Sequence, residues 1–161
     1  FYGSYGYIGE SWRWYRKEVR VVRNMPTVYS YRDAQGFRKG SNQKLVVKPA
    51  CGTIHHYGWV KRPVVMQQKQ LTFNKLWHRD DWVQQNIPQG SEWNYHQVDA
   101  LRRFEGTHPA VMHERIGRQD WNFEFDTKNN CFRPKEKLKR WFADMTGHRL
   151  GEYKNYILKT G

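Results

Sequence analysis

The 161 residues of the chain fit one domain, and their formal net charge of +13 indicates a polyanionic partner: nucleic acid, acidic lipid or a phosphorylated ligand. No apolar run is long enough to cross a membrane, and the two cysteines form no metal-binding pattern. Aromatic residues make up 16% of the chain, which supplies rings both for a core and for stacking on sugars or bases.

The basic charge is concentrated in one part of the chain. Residues 19 to 79 hold twelve Lys or Arg and a single acid, Asp33, so this segment carries +11 of the net charge. Residues 80 to 161 are nearly balanced. The isolated carboxylate of Asp33 is therefore a candidate functional group, with the capping of a local turn as the alternative role.

The first 17 residues are predicted to form an irregular, aromatic loop that enters a strand. The opening run FYGSYGYIG resembles mid-domain sequence, so we expect the chain to be a piece of a longer protein. Trp12 and Trp14 follow this run. They are predicted to form a platform for a sugar or a base, or to pack in a core layer covered by neighbouring arginines.

Three short strands are predicted next. Residues 18–24 are β-branched and alternate, and residues 28–31 and 44–48 extend the pattern around a hairpin-like connection. Cys51 and Cys131 lie far apart in sequence and are expected to be buried free thiols, with pairing as the alternative.

The stretch from Thr53 to Pro63 is predicted to be the end of a buried strand that breaks into a loop before a helix. Gly58 is expected to give this loop a backbone angle closed to other residues. Two imidazoles, two aromatic rings and two cations crowd the loop: His55, His56, Tyr57, Trp59, Lys61 and Arg62. One interpretation is a site for a metal and phosphate. The other is a packed aromatic turn.

The helical pattern begins at Pro63 and is expected to end near Val83. Its predicted buried face consists of Met66, Phe73, Leu76 and Trp77. Residues 98–104 are predicted to form a short helix, and another is expected to start at Pro109.

The C-terminal part contains the clearest helix of the sequence. It follows an alternating run, residues 121–126, that is typical of an edge strand. The helix is predicted to begin at Pro134 and to end at Gly147 in a C-terminal cap. Its predicted core stripe is Leu138, Trp141, Phe142 and Met145.

Several of these runs together resemble the second half of a bacterial family 2 glycosyltransferase. They are the opening FYGSYGYIG, residues 20–24 (RVVRN), 31–38 (YRDAQGFR), 56–60 (HYGWV), 68–70 (QKQ), 106–112 (GTHPAVM) and 152–156 (EYKNY). The similarity covers almost the whole chain, and the order and spacing of the pieces add weight to the moderately specific motifs.

This resemblance implies an α/β fold. The expected architecture is the second half of a GT-A-like mixed-sheet α/β/α domain, residues 1–85, followed by a mainly helical C-terminal extension, residues 86–161. The implied activity is transfer of a sugar from a nucleotide-diphosphate donor to the hydroxyl of a glycan or lipid-linked acceptor. The expected location is the cytoplasm, with the inner face of the membrane left open.

The resemblance also assigns roles to individual residues. Asp33 corresponds to the catalytic base of inverting members, and His56 to the late ligand of a Mn or Mg ion. Lys61 and Arg62 are expected to bind the diphosphate. The predicted sugar or acceptor platform comprises Trp12, Trp14, Tyr57 and Trp59. The Asp-x-Asp donor motif of such enzymes is absent from this sequence, so most metal ligands are expected outside it.

Two other function classes remain open. The first is a nucleic-acid-binding module that uses the basic segment for phosphates and the early aromatic residues for base stacking. The second is a protein-interaction domain without chemistry.

Overall fold

The computed structural model of the chain describes residues 1–32, 36–152 and 154–159. The fold is mixed α/β, with small sheets and four α-helices in the described ranges. The strands are β1 (Tyr7–Gly9), β2 (Val28–Ser30), β3 (Phe37–Lys39), β4 (Gln43–Lys44), β5 (Val46–Val47), β6 (Leu101–Arg103) and β7 (Ile157–Leu158). The α-helices are α1 (Pro63–Lys75), α2 (Asp80–Asn86), α3 (His113–Gly117) and α4 (Pro134–Thr146).

The chain divides into two compact units that each combine segments distant in sequence. Unit 1 consists of Phe1–Ser11 and His55–Phe132. Unit 2 consists of Trp12–Ile54 and Arg133–Gly161. The sequence predicted a division at residue 85. In the structure the chain instead passes from unit 1 to unit 2 after Ser11, returns to unit 1 at His55, and enters unit 2 again at Arg133.

Unit 1 is built around an antiparallel pair of strands. β1 pairs with β6, with Gly9 opposite Leu101. The Asn130 side chain accepts a hydrogen bond from the Leu101 amide and donates one to its carbonyl, at 2.8 and 2.9 Å. Leu101 is fully buried, and so are Met66 in α1 and Val60 before it.

Unit 2 holds two further small sheets. β2, β3 and β4 form an antiparallel sheet, and β5 pairs in parallel with β7. The guanidinium of Arg38 is buried and donates to the Asn155 carbonyl at 3.2 Å, while it lies 3.9 Å from the centre of the Tyr31 ring. Because a buried cation needs such partners, this contact ties β3 to the segment before β7.

Outside residues 48–62, three of the strand and helix predictions are wrong. Residues 18–24 form no strand: Val19 is buried but Val21, which would lie on the same face, is exposed. Residues 121–126 also form no strand, although Phe123 and Phe125 are buried in the expected alternation. Residues 98–104 contain strand β6 in place of the predicted helix, because pairing with β1 overrides the local helical spacing.

The other strand predictions are confirmed in outline. The structure has β2 within the predicted run 28–31, and the run 44–48 splits between β4 and β5. These two strands belong to different sheets, because β4 pairs with β3 and β5 pairs with β7.

The sequence predicted where helices begin more accurately than where they end or which face they bury. α1 begins at Pro63 as predicted but ends at Lys75, and a separate helix α2 begins at Asp80. Of the predicted buried face only Met66 is buried, and the exposed members are Phe73, Leu76 and Trp77. The amides of Gln67 and Gln70 are buried on α1 beside Met66.

α4 begins at Pro134 and ends at Thr146, and the next residue, Gly147, has a φ of 70°, the left-handed conformation of a C-terminal cap. Three members of its predicted core stripe, Leu138, Trp141 and Met145, are exposed, so the prediction is wrong for them, and the fourth, Phe142, is half-buried.

Two further findings concern the thiols and the membrane. Cys51 and Cys131 form no disulfide, and both are exposed where burial was expected. Throughout the part of the chain that the structure describes, every helix is too short or too polar to cross a bilayer.

Candidate functional site

The stretch His55–Arg62 lies on unit 1 as an extended segment that turns into α1. The amide of Gly3 donates to the Trp59 carbonyl at 3.0 Å, and Val60 is fully buried behind it. No strand is assigned to residues 48–58, so the predicted strand end is wrong. The segment is held instead by the N-terminal run through these backbone contacts.

Gly58 contributes space here and has no special backbone angle. Its φ is not in the left-handed region, which corrects the expectation from the sequence. A Cβ atom at this position would lie 2.6 Å from Cε1 of His56, so the glycine allows the His56 ring to fold back over the turn.

Six aromatic rings from three segments meet beside this turn, and we refer to them as the Tyr57–His108 cluster: Phe1, Tyr5, His55, Tyr57, Phe104 and His108. The Tyr57 hydroxyl lies 2.8 Å from Nδ1 of His108, although the two residues are 51 positions apart. Phe1 stacks on Tyr57 with ring centres 4.7 Å apart. All members except the buried Tyr5 are half-buried, so the cluster has an exposed aromatic side.

The environment keeps this hydrogen-bonded pair uncharged. Burial, then the neighbouring His55, lowers the pKa of His108, while a hydrogen bond to the Tyr5 backbone opposes the shift. Burial, then Tyr5, raises the pKa of the Tyr57 hydroxyl. Around pH 7 the Tyr57 O–H therefore donates to Nδ1 of a neutral His108, whose ring also hydrogen-bonds to the Tyr5 backbone.

Trp59 lies on the other side of the turn in a second group of rings. It stacks on Tyr2 at 5.7 Å between ring centres and approaches Trp93 at 6.1 Å. The Lys69 ammonium of α1 lies 5.6 Å from the centre of the Trp59 ring and donates to the Gly58 carbonyl at 2.8 Å. Burial, then the charge of Lys61, lowers the pKa of Lys69.

The two cations predicted to bind diphosphate have defined surroundings. Arg62 forms a two-pronged ion pair with Asp120, with Nε 2.7 Å from Oδ1 and the second prong from Nη2 to Oδ2. Lys61 is half-buried, and its carbonyl accepts a hydrogen bond from the Tyr95 hydroxyl at 2.9 Å. An anion at Arg62 would have to compete with Asp120 for the guanidinium.

The other predicted site residues are distributed between the units. Trp12 and Trp14 lie in unit 2, where Trp12 donates to the Leu150 carbonyl at 2.9 Å and the Arg149 guanidinium lies 4.1 Å from the centre of its ring. His56 is exposed on unit 1. Asp33 lies outside the described residues.

Among the residues that the structure describes, no three His, Cys, Asp or Glu side chains are grouped so that they could hold a metal ion. His56 alone does not satisfy Mn or Mg, which require several oxygen ligands. The described residues therefore do not form a complete site for such an ion by themselves.

Sequence reasoning missed His108, Phe104 and Asp120 as members of the site. His108 lies in the GTHP run, which was interpreted as the start of a helix. No local periodicity could have paired it with Tyr57 across 51 residues. A second missed feature is an open cavity of about 610 Å³ in unit 1, whose lining includes Arg103, Glu124 and Asp126.

Comparisons of the chain with protein-family models, with curated proteins and with solved structures found no match.

Proposed function

We propose that the chain is part of a metal-dependent glycosyltransferase with a GT-A-type fold. It would move a sugar from a nucleotide-diphosphate donor to an acceptor hydroxyl on a glycan or lipid-linked molecule. The observation that carries the proposal is the convergence, within unit 1, of runs on which the glycosyltransferase resemblance rests.

Three contacts make up this convergence. The opening run reaches the HYGW run through Gly3 and the Trp59 carbonyl. The QKQ run reaches the same turn through Lys69 and the Gly58 carbonyl. The GTHP run reaches it through His108 and Tyr57. Runs that carry the resemblance and that are scattered along the sequence are thus neighbours around one turn.

Unit 2 has a corresponding contact between two further runs of the resemblance. Arg38, from the YRDAQGFR run, donates to the carbonyl of Asn155 in the EYKNY run. A Cβ atom on Gly36 would lie 2.3 Å from the Asn155 amide nitrogen, so the glycine is needed for this approach. These contacts support the proposal through the identities of the residues that make them.

The chemistry of the Tyr57–His108 cluster suits a sugar or a base. Half-exposed aromatic rings stack on the apolar face of a sugar ring or on a nucleobase. The neutral Tyr57 hydroxyl, whose oxygen can still accept, would add a hydrogen bond from a sugar hydroxyl without the cost of burying a charge. In this proposal the cluster contributes Tyr57 to the platform, with Trp59 on the other side of the turn.

The proposal retains the roles that the resemblance assigns to the remaining residues. His56 is exposed, so a metal held mainly by other ligands could reach its imidazole, and such a metal would stabilise the leaving diphosphate. Asp33 would position or deprotonate the acceptor hydroxyl. Lys61 and Arg62 would stabilise negative charge on the diphosphate.

Nucleic-acid binding is the second candidate function, favoured by the +11 charge of residues 19 to 79. In unit 2 the side chains of Arg20, Arg23 and Lys48 are exposed. The stacking part of this candidate has less support, because the Arg149 guanidinium already lies over the Trp12 ring.

One pair of assays on the complete gene product tests the two functions against each other. The first measures release of nucleoside diphosphate from a panel of sugar nucleotides with Mn. The second measures oligonucleotide affinity at several salt concentrations. We expect turnover with one sugar nucleotide and weak oligonucleotide binding. No turnover with any donor, together with a log–log salt slope of about −5 or steeper, would replace the proposal by nucleic-acid binding.

A further inference from the structure

Helix α4 presents its apolar residues to solvent. Leu138, Trp141 and Met145 have relative exposures of 68%, 59% and 67%. Their spacing of three and four residues places them on one face of the helix, which we call the α4 apolar face. Most surface helices turn such a face toward a core, so an exposed one indicates a partner.

The side of α4 that turns away from solvent is the polar one. The half-buried residues of α4 are Glu136, Lys139, Arg140, Phe142 and Ala143. Glu136, Arg140 and Ala143 lie on the face opposite Leu138, whereas Phe142 lies beside Leu138. Phe142 is thus the one large apolar residue of α4 that is partly covered, and Leu138, Trp141 and Met145 are left in solvent.

Positive charge borders the α4 apolar face on both sides. At 100° per residue Lys135 and Lys137 fall on either side of Leu138, and both side chains are exposed. Residues 133–150 hold six Lys or Arg against two acids, a net charge of +4. The face thus combines an apolar centre, including a tryptophan, with cationic edges.

We propose that α4 docks on the surface of an anionic membrane. It lies in the plane of the interface, with Leu138, Trp141 and Met145 at the boundary between head groups and acyl chains. A helix with a Trp-containing apolar face and Lys on its polar border has the pattern of an interfacial helix. The Lys135 and Lys137 stems extend along the apolar surface, and their ammonium groups meet lipid phosphates.

Length and charge chemistry favour this partner over the others. The 13 residues of α4 are about 20 Å long, which is shorter than the hydrocarbon core of a bilayer, so the helix lies on the surface. A nucleic acid would engage the lysines but leave the apolar face in water. A membrane with anionic head groups matches both the apolar centre and the cationic edges.

The test is flotation of the complete gene product with lipid vesicles. One set of vesicles is phosphatidylcholine alone, and the other contains about one third phosphatidylglycerol. We expect binding to the anionic vesicles that weakens as salt is raised, and little binding to the neutral ones. Trp141→Glu should reduce binding by about tenfold or more, because it places a charge in the apolar centre.

Two further variants and a control separate the contributions. Lys135→Gln combined with Lys137→Gln should reduce binding roughly fivefold for each lysine removed. Trp141→Phe should retain most of the binding, which keeps the proposal testable if the glutamate variant folds poorly. Val111→Glu is the matched control, because Val111 is an apolar residue of unit 1 with 88% exposure, and it should leave binding unchanged.

The proposal is wrong if the protein fails to float with anionic vesicles. It is also wrong if Trp141→Glu and Val111→Glu have the same effect. Self-association that Trp141→Glu abolishes, without vesicle binding, would identify the α4 apolar face as an interface between copies of the chain. The test requires no catalytic activity, so its outcome is independent of the glycosyltransferase proposal.

Discussion

At the scale of single residues, the hydrogen bond between Tyr57 and His108 is the contact that defines the candidate site. It links the HYGW and GTHP runs, and burial keeps both groups neutral. Two measurements follow from this one contact, the first on stability and the second on protonation.

Tyr57→Phe should lower the free energy of unfolding by about 1 kcal/mol, because Nδ1 of the half-buried His108 loses its donor. Denaturant unfolding measures this change. Tyr15→Phe is the matched control, since Tyr15 is exposed and lies in unit 2. Equal effects of the two substitutions would show that the hydrogen bond does not form.

Because of His108, the free energy of unfolding should fall as the pH is lowered below 6.5. Its pKa is lowered from the ordinary 6.5, first by burial and then by His55. Above 6.5 the folded and unfolded states are both neutral, and the group contributes no pH dependence. Below 6.5 the unfolded state binds the proton first, so folding stability falls until the pH passes the lowered folded pKa.

An NMR titration of the His108 ring and unfolding at two pH values measure this effect. His108→Asn should remove that part of the slope, because an asparagine can accept from Tyr57 but does not titrate. A His108 pKa above 6.5 in the folded protein would contradict the assignment of a neutral ring.

At the scale of elements, the sequence predicted the starts of α1 and α4 and the end of α4 better than it predicted which faces of these helices are buried. The proline at the start of α1 and the proline and glycine that bound α4 act through their own backbone geometry, which is visible in the sequence. The burial of Leu101 depends on pairing with Gly9, about 90 residues away, which no local pattern reports.

The candidate site shows the same limit. The imidazoles, rings and cations of the segment His55–Arg62 are enough to predict a site there from the sequence. The partners His108 and Asp120 come from segments that reach this turn only in the folded chain. The roles of Asp33, His56, Lys61 and Arg62 remain predictions from the resemblance.

Gly3 should be the most sensitive glycine of unit 1, because it holds the opening run against Trp59. Its φ is +72°, and a Cβ atom would lie 2.4 Å from the Phe123 ring. Gly3→Ala should therefore cost about 2–4 kcal/mol from backbone strain and overpacking together. Gly117→Ala is the control in the same unit, since a Cβ atom there meets nothing within 4 Å. Thermal unfolding that ranks the two variants equally would contradict the packing of the opening run.

At the scale of the whole molecule, both units leave large apolar side chains exposed. In unit 1 these include Leu76, Trp77 and Val111, and in unit 2 Leu138 and Trp141. We therefore expect the 161-residue chain by itself to bind a hydrophobic dye and to associate as its concentration rises. Light scattering and dye fluorescence measure this behaviour, and a monodisperse, dye-free monomer with a cooperative melt would contradict it.

The most direct test of the glycosyltransferase account is the Mn dependence of sugar-nucleotide turnover by the complete gene product. Each variant is compared at a full range of Mn concentrations. His56→Ala should raise the Mn concentration needed for half-maximal activity, or lower the rate, by roughly 10- to 100-fold. His78→Ala is the matched control, because His78 is an exposed histidine of unit 1 that stacks on Trp82. A Mn requirement unchanged by His56→Ala would remove His56 from the metal site, and the absence of Mn-dependent turnover with every donor would contradict the account as a whole.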